Sequence, residues 1–512
     1  MTAITPARSW NRLPGMVTTA GPRGSIEVEA PFDGSTLAGV PDGTADDVAL
    51  AVDRARAAQP AWARAPIRHR RAVLGTFARA VLADEESILD LVQAETGKAR
   101  LSAFEELADV ALTAGYYART ASRHLRPRHR RGAFPVLTRT VERYQPKGVV
   151  GVIAPWNYPL TLAVSDALAA LVAGNTVVIK PDSRTPLTAL HLLALLRGSG
   201  VPDDVIQVVT GAGRTLGTPL IDRVDYLMFT GSTATGRLVA EQCGRRLIGF
   251  SAELGGKNAM LVLDDADVDR AAEGAVQACF SNAGQLCVSI ERIYVHTAVH
   301  DAFLAAFTDR VRRMRVAPGR GWDVDMGSLI SSEQLATVRT HLDDALAKGA
   351  TVVVGGRVRP DLGPLFHEPT VLTGVTETMT VAREETFGPV VAVYEVADDD
   401  EAVTRANDTS YGLNASVWSR RRGWAVARRL RAGTVNVNEG YAATWGSHDA
   451  PMGGMGDSGM GRRHGREGIV KYTEPQTISR QLLVPVGPSR VLRGEAYARV
   501  LSRAVGVLNR LP

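Results

Sequence analysis

Gly148-Val149-Val150-Gly151-Val152-Ile153-Ala154 is an apolar run interrupted only by glycine, and it empties into Pro155-Trp156-Asn157-Tyr158-Pro159. A short apolar run bounded by turn formers reads as a buried strand. An apolar helix follows over 160–173. Strand 176–179 then ends in Lys180-Pro181-Asp182-Ser183, with a helix at 186–196 and a strand at 205–209. Gly211-Ala212-Gly213 opens the next helix. Strand 226–229 leads into Thr230-Gly231-Ser232-Thr233 and a further helix. Strands alternating with helices predict an α/β fold, a parallel sheet with helices on both faces. Ligands of such sheets sit at the carboxyl ends of the strands. Asn157, Lys180, Gly213 and Ser232 all fall there.

Upstream, residues 1–45 are rich in turn formers, with a short alternating segment at 25–29. Helical spacing then runs from 45 to about 122, with breaks expected near Pro60 and Pro66 and a glycine-closed helix end at Gly97. Residues 123–147 are basic and then alternating, which predicts a protruding strand or hairpin. After Gly256 a second α/β unit begins. It has strand 259–262, helix 268–281, a loop carrying Cys287 and strand 292–295, then helices 301–313 and 332–348 and strand 351–354.

The 512 residues, 45% of them hydrophobic, suit two or three domains of ordinary globular composition. The three cysteines, Cys243, Cys279 and Cys287, are too few and too unevenly placed for a disulfide framework, which points to a reducing, cytoplasmic setting. Their spacing predicts no metal site. The first 24 residues lack the apolar core of a secretory signal, and no run is long enough to span a membrane. The formal charge of +5 comes from scattered arginine clusters with no nucleic-acid motif, so it reads as solvated surface. Apolar residues recur at near-helical spacing between arginines in the tail beyond 490. A helix docked on an oligomer is favoured there over one lying on a membrane surface.

The chemistry centres on Phe280-Ser281-Asn282-Ala283-Gly284-Gln285-Leu286-Cys287. Gly284-Gln285 punctuates a helical run just before Cys287. This placement predicts a thiol at a helix terminus, its pKa lowered by backbone N–H groups. A thiolate attacking a carbonyl creates an oxyanion, which needs uncharged donors: the Cys287 N–H and the amide of Asn157 are the candidates. Glu253 lies in an apolar-to-glycine stretch, where partial desolvation raises a carboxylate toward the range of a useful base. Gly255-Gly256 permits close backbone approach to a ligand.

Five motifs in order carry a resemblance. They are Pro155-Trp156-Asn157-Tyr158-Pro159, Phe229-Thr230-Gly231-Ser232-Thr233, Glu253-Leu254-Gly255-Gly256-Lys257, Gly284-Gln285-Leu286-Cys287 and Glu384-Glu385-Thr386-Phe387-Gly388-Pro389. Over about residues 25–480 the chain resembles the aldehyde dehydrogenase superfamily, most closely its NADP-dependent succinate-semialdehyde dehydrogenases of the second, actinobacterial type. The resemblance implies a Rossmann-like cofactor domain (1–123 and 147–255), an α/β catalytic domain (256–455), a small β oligomerisation arm with its returning segment (124–146 and 456–485) and a basic amphipathic tail (486–512). It implies Cys287 as nucleophile, Glu253 as general base and Asn157 as oxyanion donor. The cofactor would meet Trp156, Asn157, Lys180, Ser183, Gly213, Ser232, Thr233, Leu254, Glu385 and Phe387. Ser183 stands where members that prefer NAD often carry a glutamate, so NADP is favoured, with NAD as the alternative. The implied assembly is a homodimer or homotetramer.

Succinic semialdehyde is the leading substrate, oxidised to succinate. Its carboxylate is gripped in better-characterised relatives by arginines at the positions of Ser165 and Ser281, so neutral aliphatic or aromatic aldehydes compete with it. Glu253 favours hydrolysis of the thioester over its transfer to coenzyme A.

Overall fold

The computed structural model describes residues 10–134, 137–482 and 486–510. A six-stranded sheet runs in the spatial order Gly459–Met460, Gly249–Glu253, Tyr226–Thr230, Val149–Ile153, Thr176–Lys180, Ile206–Val208. All its neighbours are parallel except Gly459–Met460, which returns antiparallel against Gly249–Glu253. From Val149–Ile153 the chain steps outward to Thr176–Lys180 and Ile206–Val208. It then crosses to the other side with Tyr226–Thr230. A crevice forms where such connections diverge, at the carboxyl ends of the strands. Register places Ile153 beside both Lys180 and Phe229, and Thr230 beside Glu253, so the residues that follow these strands emerge at one edge.

Helix Pro159–Ala173 is buried along its whole length, as an apolar sequence without a polar face requires. It is wedged between the sheet and helix Arg100–Leu125. A second sheet of seven strands has the order Thr351–Val354, Thr370–Thr373, Val390–Val396, Ile290–His296, Asn258–Val262, Asn414–Trp418, Thr434–Val437. It is parallel except at Thr351–Val354 and has its own apolar core. The Cys287 loop joins helix Val268–Phe280 to strand Ile290–His296 at the boundary of the two sheets.

Three antiparallel strands, Arg128–Arg130, Thr138–Pro146 and Thr473–Gln481, form a separate small sheet from segments far apart in sequence. Residues 474–480 of its outer strand are exposed. Helix Gly494–Leu508 has no buried residue. Among the described residues no helix is long and apolar enough to cross a membrane.

The expected break at Pro60 does not occur. Helix Ala45–Arg64 runs through it and ends before Pro66. One proline removes one helical hydrogen bond, and the buried face of Val48, Ala51, Val52, Ala55 and Trp62 holds the helix across that loss.

Candidate active site

At the crevice lies a cleft of about 260 Å³ whose lining includes Trp156, Asn157, Ser232, Glu253, Leu254, Cys287, Glu385 and Phe387. The fold thus brings eight of the expected residues into one cavity. Lys180, Ser183, Gly213 and Thr233 lie outside its lining. The Lys180 ammonium donates to the carbonyls of Pro181 (2.7 Å) and Gly211 (3.4 Å), tying two strand ends together, and burial lowers its pKa. Gly213 begins helix Gly213–Ile221, and a Cβ there would meet no atom within 4 Å. The Thr233 hydroxyl donates to the carbonyl of Asp457 (3.0 Å). Ser183 is half-buried in a separate groove that Arg184, Glu95 and Glu333 also line. Arg184 is held by Asp182 at 2.9 Å and lies over the Trp156 ring at 5.4 Å.

The Cys287 loop is not a helix terminus. Helix Val268–Phe280 ends well before it, and Asn282, Ala283 and Gly284 turn the chain through three successive left-handed conformations (φ 51°, 55° and 71°). Left-handed backbone strains residues other than glycine, and here it is over-determined by contacts. A Cβ on Gly284 would lie 2.1 Å from the carbonyl oxygen of Gly388, so the loop touches the segment that carries Glu385. The expected lowering of the thiol pKa is overturned as well. Burial pushes Cys287 up to about 12, and the carboxylates of Glu253 and Glu385 reinforce burial against the opposing charge of Arg463.

Asn157 is held from both ends. Its carbonyl accepts from the buried Lys98 ammonium (2.7 Å) and from the Asn282 amide (3.0 Å). Its own amide nitrogen donates to the carbonyl of Gln285 (3.1 Å), just before Cys287, which leaves one amide N–H for the cleft. Lys98 is paired in turn with Glu106, whose carboxylate accepts the N–H groups of Leu160 and Thr161 at the start of the central helix. Anions are favoured at that helix end.

A second buried pair, Lys257 with Glu291, sets the opposite wall. Glu291 accepts the N–H groups of Thr386 (3.0 Å) and Phe387 (2.9 Å), and Gln334 donates to both carbonyls of the same segment. Phe387 then meets Trp156 edge-on at 5.5 Å. Glu385 accepts the N–H of Gly256 (2.8 Å), and a Cβ on Gly255 would strike its carboxylate at 2.2 Å. Burial, helped by the nearby Glu291 charge, raises Glu385 to about 8.

Glu253 is 4% exposed, and burial raises it to about 7 against the pull of Arg463 and Lys471. A carboxylate poised there takes a proton from water near neutral pH. Serine 232 caps helix Thr233–Arg246, its hydroxyl accepting the N–H of Thr235 at 3.3 Å. Such a helix start attracts phosphate.

Behind these groups lie charges that sequence reasoning missed. Asp166, inside the central helix, binds Arg463 (2.8 Å) and faces Lys471 (3.6 Å). A lone aspartate in an apolar helix was the available signal. On helix Arg100–Leu125, Glu105 accepts from Tyr441 (3.0 Å), Tyr158 (3.3 Å) and Ser281 (3.3 Å), while Asp109 accepts from Ser165 (2.9 Å). Both serines thus face carboxylates. Asp109 also gathers His448 and His464, and the three offer ligand atoms within 4.8 Å of one another. The His448 ring is engaged at both nitrogens, on Asp109 (3.2 Å) and on the Gly446 carbonyl (2.9 Å). Burial lowers that ring, but Asp109 outweighs burial and holds it above its ordinary pKa. His448 and Asp109 form a buried ion pair, and the Nδ1 of His464 beside them has no hydrogen-bond partner.

The same arrangement of sequence and fold recurs in known proteins. The sequence profile of the aldehyde dehydrogenase family matches residues 17–478. A Mycolicibacterium smegmatis protein with the provisional name NADP(+)-dependent succinate-semialdehyde dehydrogenase is 54% identical over 492 residues, covering 96% of this chain and 95% of that one. The crystal structure of an aldehyde dehydrogenase from Brucella melitensis superposes with a TM-score of 0.88 at 34% identity, covering 94% of this chain and 100% of that one. Betaine aldehyde dehydrogenase from Staphylococcus aureus, in complex with NAD+, gives 0.86 at 31% identity, covering 91% and 94%. With the profile spanning both sheets and the arm, the chain belongs to the aldehyde dehydrogenase family.

Proposed function

We propose that this enzyme oxidises an aldehyde to its carboxylic acid with NADP, and that Cys287, Glu253 and Asn157 carry the reaction. The supporting observation is their convergence in one cleft with Glu385 and the helix start at Ser232. The residues fit a dinucleotide. Ser232 offers helix N–H groups to a pyrophosphate, the open position at Gly213 leaves room beside Lys180, and Glu385 stands ready for ribose hydroxyls. Leu254, Trp156 and Phe387 supply apolar walls for the nicotinamide end. Ser183 and Thr233 complete the proposed contacts. NADP is supported by the name of the 54% identical relative and by the absence of a glutamate at Ser183, with NAD as the alternative.

Cys287 passes its proton to solvent and adds to the aldehyde carbon, and the new oxyanion is held by the Cys287 N–H and the free amide N–H of Asn157. When bound, NADP supplies the hydride acceptor that the oxidation needs. Glu253 then takes a proton from the water that cleaves the Cys287 thioester, which frees the acid and returns the thiol.

Succinic semialdehyde is the proposed substrate, supported by the relative's name. A second reading, neutral aliphatic or aromatic aldehydes, is favoured by one observation: Ser165 and Ser281 are turned to Asp109 and Glu105, and no arginine stands at either position. The experiment is NADPH and NADH production by the purified enzyme on succinic semialdehyde, hexanal, benzaldehyde and betaine aldehyde. The highest kcat/KM on succinic semialdehyde supports the first reading; a preference for hexanal or benzaldehyde replaces it with the second.

The proposed assembly is a homodimer or homotetramer built on the small sheet of 124–146 and 456–485, supported by its exposed outer strand. We assign 1–123 and 147–255 to the cofactor domain and 256–455 to the catalytic domain. The tail, 486–512, docks on the oligomer. A cytoplasmic location is supported by three unpaired thiols.

A further inference from the structure

The buried charges behind Glu253 do not balance without it. Arg463 is 8% exposed and Asp166 5% exposed. The Arg463 guanidinium binds Asp166 at 2.8 Å and donates to the Thr230 hydroxyl at 2.6 Å. Thr230 is the cross-strand partner of Glu253 in the parallel pair, so its side chain stands beside that of Glu253 on the same face of the sheet. Lys471 approaches Asp166 at 3.6 Å and Met228, two residues before Thr230, at 3.4 Å. Two cations therefore share one fixed anion. Buried charge left uncompensated is costly, and the ionised form of Glu253 supplies the missing negative charge.

We propose that Arg463, paired with Asp166, is a positioning residue that favours the ionised form of Glu253 and the Cys287 thiolate. The charged groups with the largest effect on Glu253 have defined signs in this scheme. Arg463, Lys471 and Arg462 favour its carboxylate, and Asp166 opposes it. Thr230, to which Arg463 donates, lines the same cleft as Cys287, and at that thiol Arg463 is the favourable charge against Glu253 and Glu385. His464 adjoins the pair from the side of Asp109; burial holds it at about 4, so it is neutral at working pH and leaves the sum unchanged. One residue thus serves both halves of the reaction. It lowers the cost of making the thiolate, and it favours the ionised base that thioester cleavage needs.

This inference rests on the roles proposed for Cys287 and Glu253, and two probes separate it from them. Iodoacetamide alkylation of Cys287, followed by mass spectrometry across pH, reads the thiolate whatever its role. Hydrolysis of 4-nitrophenyl acetate reads acylation of the thiol and its release by Glu253 without cofactor or aldehyde. In R463M the hydrolytic midpoint should rise by about one unit and alkylation of Cys287 at a fixed mildly alkaline pH should slow by about tenfold, as expected for removal of a nearby opposite charge. R463K should return close to the parent. In D166N the amide oxygen can still accept from Arg463, which also keeps its bond to Thr230, so the hydrolytic midpoint should move the other way, to lower pH, because an opposing anion is gone. A general packing defect does not produce shifts of opposite sign. An unchanged hydrolytic midpoint or an unchanged alkylation rate in R463M, or movement of R463M and D166N in the same direction, overturns the proposal. If R463M does not fold, D166N decides alone: an acid shift supports it, and an unchanged or alkaline midpoint overturns it. Full activity in C287A or E253Q is a separate result, which sinks the assigned roles while leaving the alkylation profiles interpretable.

Discussion

The cofactor side of Cys287 and the side behind Glu253 are built from different materials. The first is backbone: glycines that admit close approach, helix starts at Gly213 and Ser232, and a loop pinned through its N–H groups by Glu291. The second is buried charge: Lys98 with Glu106, Asp166 with Arg463 and Lys471, Asp109 with His448. Backbone donors give a site its shape and work at any pH. Buried charges set proton affinities, and they fail when a single partner is lost. The contrast separates the groups proposed to hold the dinucleotide from those proposed to drive the reaction.

The largest test removes the sulfur. Cys287→Ala should lower aldehyde oxidation by about four orders of magnitude or more, while quenching of tryptophan fluorescence by NADPH persists; loss of both would tie the two sides together. Glu253→Gln should slow turnover by about 10²- to 10⁴-fold and leave an acyl-enzyme burst, visible as rapid NADPH formation followed by a slow phase. Unchanged steady-state turnover removes Glu253 from the mechanism. Asn157→Ala should cost about 10²- to 10³-fold in kcat with little change in cofactor affinity. Thioester cleavage in the parent enzyme should rise with pH through about 7, since the base acts only when ionised and burial has raised it there. A limb that survives in Glu253→Gln belongs to another group. The smallest effect is at the substrate side. Glu105→Gln should raise kcat/KM for succinic semialdehyde relative to hexanal by about fivefold, the value of one partly solvated charge. An unchanged ratio would place Glu105 away from the substrate.

The same contrast explains what the sequence made legible. Alternating strands and helices from Val149 onward specify the six-stranded sheet, because each element buries a face whose period is local. Cys287, Glu253 and Glu385 stand in glycine-punctuated segments, and the resemblance supplied their roles. The cations and anions behind them left little trace. Glu105 and Glu106 are adjacent and alike in the sequence, yet one faces two tyrosines and the other a buried lysine. Arg463 sits among other arginines in a glycine-rich stretch, and only its tertiary partner on the central helix makes it different. The thiol pKa was misjudged for the same reason. Local punctuation suggests a helix end, whereas burial, with the charges of Arg463, Glu253 and Glu385 from distant segments, determines the result.

The distance along the chain between Cys287 and Arg463 has a consequence during synthesis. The cysteine leaves the ribosome long before the arginine is made, and Glu385 emerges between them. A chain still being translated carries the thiol without the cation proposed to activate it. Domains fold as units while synthesis proceeds, so the proposed site is complete only once the segment carrying Arg463 has been made.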